Sequence, residues 1–231
     1  FRSATVHYRQ GDSDEDRTAY GEVVLAAIGR VPNTDADWFR SSGLKLDERG
    51  YVTVDGYGRT NLDGVWALGD ITPGHALAHR AFEQGITIAE KIAGADPKPV
   101  LDDTVPQVVF SFPEAASVGL TLDQAKARED VVEPKETAYP MLSNARMLMS
   151  GEGGSMTVVS GAFANNPDMQ VVLGVHIVSP IASDLIAEAE QLVGNRVPLA
   201  DAARLIHPHP TFSETLGEAL LKADGRPLHT R

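Results

Sequence analysis

The sequence contains no cysteine. That excludes a disulfide framework, a cysteine nucleophile, a thiolate metal site and any thiol redox centre carried by these residues. It also lacks any apolar run near the roughly 18 residues of a membrane-spanning helix. Basic residues are in deficit: 20 Lys and Arg stand against 32 Asp and Glu, a formal net charge of -12. Nucleic acid and anionic membranes need a basic footprint, so neither is expected as a partner. The opening Phe1-Arg2-Ser3-Ala4-Thr5 has neither an initiator Met nor the apolar region of a signal peptide. The chain is therefore expected to be processed, truncated or taken from partway along a longer one. What remains is ordinary for a globular protein: 231 residues, 42% hydrophobic and 23% charged. That length buries a core without disulfides and allows one large domain or two modest ones.

The pattern divides the chain at residues 33 and 105. In 1–33, Thr5, His7 and Arg9 alternate with Val6 and Tyr8, which predicts a strand with one wet face. A polar turn, Gly11 to Arg17, follows, and then an apolar run from Gly21 to Ile28 fit for a buried strand. Residues 34–105 predict short strands at Gly50–Val54 and Val65–Leu68, a helix over His75–Ala93 stopped by Gly94, and a proline-containing linker. Residues 106–231 read as an α+β domain. Strands are predicted at Gln107–Phe112, Ala116–Leu120, Ser155–Phe163 and Gln170–Val178. Helices are predicted at Thr121–Glu129 with Thr121 as N-cap, Ile181–Val193, Leu199–Leu205 and Ser213–Asp224.

Four local features bear on chemistry. Asp12, Asp14 and Asp16 match the first spacings of a calcium loop, but Arg17 replaces its glycine and Val23 its closing glutamate. A solvated hairpin tip is the expectation, and no metal site is expected. Thr60 to Asp70 delivers Asp70 to the carboxyl end of a buried strand, where open α/β sheets bind ligands. The helix beyond it offers free N–H groups and a positive dipole end. Gly69-Asp70 is equally readable as a plain strand-ending turn. The segment His207-Pro208-His209-Pro210-Thr211-Phe212-Ser213-Glu214 is the sharpest feature. Its prolines stiffen the backbone, and Glu214 falls within reach of His209, where a carboxylate fixes an imidazole's tautomer. Thr211 to Glu214 also fits a capping box, and one carboxylate oxygen is available for each role. A metal at His207 and His209 is disfavoured, since neither HExxH nor a nearby third ligand is present. Either histidine can also be a packed residue. Arg146 reads as a surface or interface residue, and Trp38 and Trp66 as core.

Taken together these residues resemble the flavoprotein disulfide reductases, and within them the dihydrolipoamide dehydrogenase branch. Val24 to Asn33 resembles the end of the NAD domain, and Thr60 to Asp70 the second FAD fingerprint. Ala76-Leu77-Ala78-His79 resembles the segment against the flavin ring. Val108 to Thr121 and Leu173 to Glu188 resemble the start and middle of the dimerisation domain, and the His207–Glu214 segment its catalytic end. The six matches come in the family's order along nearly the whole chain. The resemblance implies partial FAD- and NAD-binding doubly wound domains (1–33 and 34–105) followed by an α+β dimerisation domain (106–231) with an antiparallel sheet. FAD and NAD are the implied cofactors. Gly29 would sit by the NAD, Asp70 on the FAD ribityl or pyrophosphate side, and Ala76, Leu77, Ala78 and His79 near the isoalloxazine. His209 would be the acid/base and Glu214 its orienter, acting across a homodimer. The implied partner is a dihydrolipoamide-bearing acyltransferase of a 2-oxoacid dehydrogenase complex, in the cytoplasm.

The departures are as informative. The family's GxGxxG fingerprints and its CxxxxC redox pair are absent. The expectation is the C-terminal half of such an enzyme, inactive alone. In the whole enzyme an imidazole would take a proton from a dihydrolipoamide thiol, because only the thiolate attacks a disulfide. Another disulfide or quinone reductase of the family, or a non-catalytic dimerisation module, are the competing expectations.

Overall fold

The computed structural model describes residues 3–230. Its first strands, β1 (Ala4–Tyr8) and β2 (Arg17–Gly21), form an antiparallel hairpin with Ala4 opposite Gly21. The acidic stretch is its exposed tip, with Arg9 Nε donating to Asp16 at 2.7 Å. The expected single wet face is not found: Val6 and Tyr8 are exposed as well. Nor does Gly21–Ile28 form a buried strand. Pairing stops at Gly21, and Leu25 and Ile28 stand in solvent at 88% and 98% exposure. A strand of this apolar kind is stabilised by neighbours on both sides. Among the described residues none lies beside it.

A small core of Phe39, Val52 and Ala67 organises the next stretch. The short helix α1 (Asp37–Ser41), unforeseen in the sequence, turns Phe39 inward and leaves Trp38 exposed, against the expectation of a core tryptophan. The strands expected at Gly50–Val54 and Val65–Leu68 are reduced to single bridges, Leu46 to Val52 and Arg59 to Trp66. Asx turns replace the ladder. Asp47 accepts from the Arg49 and Tyr51 N–H groups, and Asp55 from those of Tyr57 and Arg59. Helix α2 (Ala78–Ile92) starts three residues later than expected, and Gly94 ends it at φ +85.

The rest is one antiparallel sheet flanked by helices. Along the chain come β3 (Gln107–Val109), β4 (Glu114–Gly119), α3 (Leu122–Ala127), β5 (Val131–Pro140) and α4 (Ala145–Ser150). There follow β6 (Ser155–Phe163), β7 (Asn166–Ser179), α5 (Ala182–Gly194), α6 (Leu199–Ala202) and α7 (Glu214–Ala223). The strand order is β3-β4-β7-β6-β5. β3 is shorter than expected, leaving Phe110 and Phe112 exposed beyond its end. α6 likewise stops before Leu205. Thr121 caps α3 in a full capping box with Gln124, as its sequence predicts.

β5 has no counterpart in the sequence reading, because Pro134, Pro140 and its charges argue against a strand. It lies at the sheet edge and bulges between Val132 and Lys135, with Glu133 at φ 50. Edges and bulges are where a sheet tolerates proline. A second irregularity lets β7 serve both faces. Val171 and Leu173 face the small cluster around Ala125, whereas Val172, Val175 and Ile177 face the main core. Strict alternation cannot place 172 and 175 on one face. The register shift between Val159 and Ser160 of β6 inverts the phase at Leu173 and Gly174. A Cβ at Gly174 would strike the Leu120 carbonyl, so glycine is required where the chain makes this change.

Helix α5 buries Ala182, Leu185, Ile186, Ala189, Leu192 and Val193, a stripe of helical period, against β4 and β7. Helix α7 lies against β5 and β6 with Leu216 and Leu220 buried. The two helices bring Glu188 and Glu214 to the segment that carries His207 and His209.

Candidate functional site

The segment 207–213 links α6 to α7. His209 is its exposed point, with 71% of its side chain open to solvent. Its Nδ1 lies 2.8 Å from Glu214 Oε1. A carboxylate only accepts here, so Nδ1 carries the proton and Nε2 is left free to exchange one. The second Glu214 oxygen accepts from the Thr211 N–H at 2.7 Å. The two Glu214 oxygens thus meet two different partners, the His209 ring and the Thr211 N–H. The capping box itself is only half made: the Thr211 hydroxyl donates to the Pro208 carbonyl at 2.6 Å instead of accepting at the helix start. Helix α7 consequently begins at Glu214. Burial pushes the Glu214 carboxyl upward, but the Thr211 N–H and the His209 ring outweigh it and hold it below the usual 4.5.

Three further contacts anchor this segment. Asn144 is buried; its Oδ1 accepts from the Arg146 and Met147 N–H groups at the start of α4, and its Nδ2 donates to the Thr211 carbonyl at 3.1 Å. Asn144 was missed in the sequence, although an Asn before a helical Arg-Met-Leu-Met run is an N-cap signal. Arg146, exposed on α4, lies over the Phe212 ring at 5.5 Å. His207 is partly buried, and its Nε2 sits 2.7 Å from Glu188 Oε1. The Glu188 bond raises the His207 pKa above its usual 6.5, against the opposing pull of burial.

A third imidazole meets a third carboxylate one turn along α7. His229 Nδ1 lies 2.7 Å from the buried Glu218. Tyr139 is wholly buried nearby without a partner for its hydroxyl, and burial plus Glu218 and Glu214 push its pKa up to about 12. Each carboxylate on this side of α7 therefore faces its own histidine.

The other expected site residues lie elsewhere. Asp70 is exposed within a single 3-10 turn, Gly69–Ile71, and Gly69 stands at φ +71 with its N–H donating to Gln84. Leu77, the N-cap of α2, gives no side-chain cap, so the first-turn N–H groups at Ala78 and His79 stay open to a ligand. Ala76 lies just outside the helix, before Leu77. The His79 ring is engaged by the Pro106 carbonyl at 2.7 Å. Gly29 lies in the exposed segment after β2 at φ +118, with open space around it.

Comparison with known proteins meets this geometry directly. The description "Pyridine nucleotide-disulphide oxidoreductase, dimerisation domain" matches residues 105–220, half of the chain. The companion "Pyridine nucleotide-disulphide oxidoreductase" matches residues 3–85. The chain belongs to the pyridine nucleotide-disulphide oxidoreductases. Among curated relatives, the dihydrolipoyl dehydrogenase of Cupriavidus necator is 39% identical over 227 residues, 97% of this chain and 46% of that protein. That of Geobacillus stearothermophilus is 39% identical over 217 residues, 93% of this chain and 44% of that protein. The crystal structure of LpdA from Mycobacterium tuberculosis superposes with a TM-score of 0.80 at 30% identity, covering 94% of this chain and 47% of that one. The chain spans about half the length of the curated relatives it matches. Membership of this oxidoreductase family implies FAD and NAD(H) as cofactors. The exposed Asp70 and the uncapped start of α2 fit such a group. The matched dimerisation domain supports a homodimer. Among the described residues no helix is long and apolar enough to cross a membrane.

Proposed function

We propose that this chain is the C-terminal half of a dihydrolipoamide dehydrogenase and carries its acid/base pair, His209 and Glu214. The observation that supports this most directly is the split Glu214 carboxylate, one oxygen on His209 Nδ1 and one on the Thr211 N–H. With Nδ1 held, Nε2 takes the proton of a dihydrolipoamide thiol, and the resulting thiolate attacks a disulfide. That disulfide comes from residues outside this chain, which has no cysteine. The pair serves the active site of the other subunit of a homodimer. Asp70 would hold the FAD ribityl or pyrophosphate side, Ala76, Leu77, Ala78 and His79 would lie along the isoalloxazine, and Gly29 would sit by the NAD. Bound FAD and NAD supply the two-electron and hydride chemistry that follows.

This reading keeps the divisions at 1–33, 34–105 and 106–231, the lipoyl-bearing acyltransferase as partner and a cytoplasmic setting. Compartment varies among relatives, since one from Arabidopsis thaliana is named mitochondrial. The test is a flavin absorption spectrum of the full-length protein, with assays on dihydrolipoamide, glutathione disulfide and quinones. Turnover with dihydrolipoamide alone is expected. Preference for another substrate would move it within the family, and absence of flavin would leave a dimerisation module.

A further inference from the structure

His209 poses a mechanical problem. Its ring is largely exposed in the single chain, so packing within the chain does not hold it, yet an acid/base must be placed to within a fraction of an ångström or so of its target. Within the chain its position comes from the two ends of the short segment that carries it. The Thr211 end is held by the Glu214 carboxylate and by Asn144. The other end is His207, separated from His209 by Pro208 alone, whose ring removes one backbone rotation.

His207 is fixed from two sides. On α5, Glu188 takes its Nε2 at 2.7 Å. On α7, its ring packs against Gly217: a Cβ there would come within 2.5 Å of Nδ1 and 2.9 Å of Cε1. The glycine is therefore the only residue that lets this ring approach the helix. Gly217 also lies three residues after Glu214, nearly one turn along the same helix. The histidine that is anchored and the carboxylate that orients His209 thus share one rigid element.

We propose that Glu188 and His207 are positioning residues for His209: their partly buried pair, seated on Gly217, fixes the leading end of the 207–211 segment so that the exposed ring meets both Glu214 and the substrate thiol. The inference rests on the acid/base reading of His209 given above.

The test is a double-mutant cycle in the FAD-loaded full-length protein. Glu188→Ala is expected to lower kcat by about 10-fold with KM for dihydrolipoamide nearly unchanged, the signature of a displaced catalytic group. Glu188→Gln, whose carbonyl still accepts from Nε2–H, is expected to restore most of it. In a His209→Ala background, Glu188→Ala is expected to cost nothing more, because the group it positions is gone. An unchanged kcat in Glu188→Ala overturns the inference. So does an equal loss in the His209→Ala background, which would make the pair merely structural. If Glu188→Ala does not load FAD, Gly217→Ala carries the same test: the added Cβ pushes the His207 ring, so kcat should fall with KM nearly unchanged while FAD stays bound. Unchanged kcat there overturns the inference too. If His209→Ala itself keeps full turnover, the acid/base reading fails instead, and the two failures are told apart.

Discussion

Glu214 divides its carboxylate between two partners, Oε1 with His209 Nδ1 at 2.8 Å and Oε2 with the Thr211 N–H at 2.7 Å. One oxygen holds the His209 imidazole and the other the start of α7. Substitution should separate the two. Glu214→Ala should cost about 1 kcal/mol of stability, the scale of a lost helix cap, together with activity. Glu214→Gln keeps an acceptor for Thr211 and should lose less stability, yet it should lower kcat, because one amide oxygen cannot serve both Thr211 and His209. Thermal melts and turnover of both variants check this. A Gln variant with unchanged kcat would remove the orienting role.

The ion pairs of this region give stability two opposite pH dependences. The Glu214 carboxyl is held below its usual 4.5 in the folded chain. Its contribution is present above 4.5 and is lost as pH falls through the lower folded value. His207 is raised above 6.5 by Glu188. Its contribution is full below 6.5 and disappears as pH rises through the raised folded value. The melting difference between the parent and Glu188→Gln should therefore be greatest at about pH 5 and shrink toward about pH 9. A difference that grows with pH would contradict the pairing.

Ile206, next to His207, is 96% exposed, and Leu205 beside it is 49% exposed. The proposed homodimer would cover these two residues, which adjoin the His207–Glu214 segment. The protein should sediment as a dimer at tens of micromolar, and Ile206→Arg should weaken association by about 10-fold or more, because a charge would be buried without a partner. A monomeric parent would contradict the shared active site.

Leu216 is buried at 1% exposure in the core that supports α7. Leu216→Ala should cost about 2–5 kcal/mol by denaturant unfolding, the usual range for a truncated core leucine. A loss under about 1 kcal/mol would mean that α7 is not held on the core through Leu216.

The parts legible in the sequence were those with short-range causes. Thr121 and Gln124 make their capping box within four residues. His209 and Glu214 are five apart, and proline stiffness already limits where they can go. What escaped depends on distant partners. Glu188 meets His207 across 19 positions, and Asn144 meets Thr211 across 67. β5 was hidden by prolines that only an edge strand accepts. The run from Val23 to Ile28 has the composition of a buried strand, but composition cannot supply neighbours to pair with.

The most direct test of this account is turnover of dihydrolipoamide by His209→Ala in the FAD-loaded full-length protein. Turnover should fall by about 100-fold or more, the scale of a lost acid/base, while FAD remains bound. Full activity in that variant would contradict the assignment of the site.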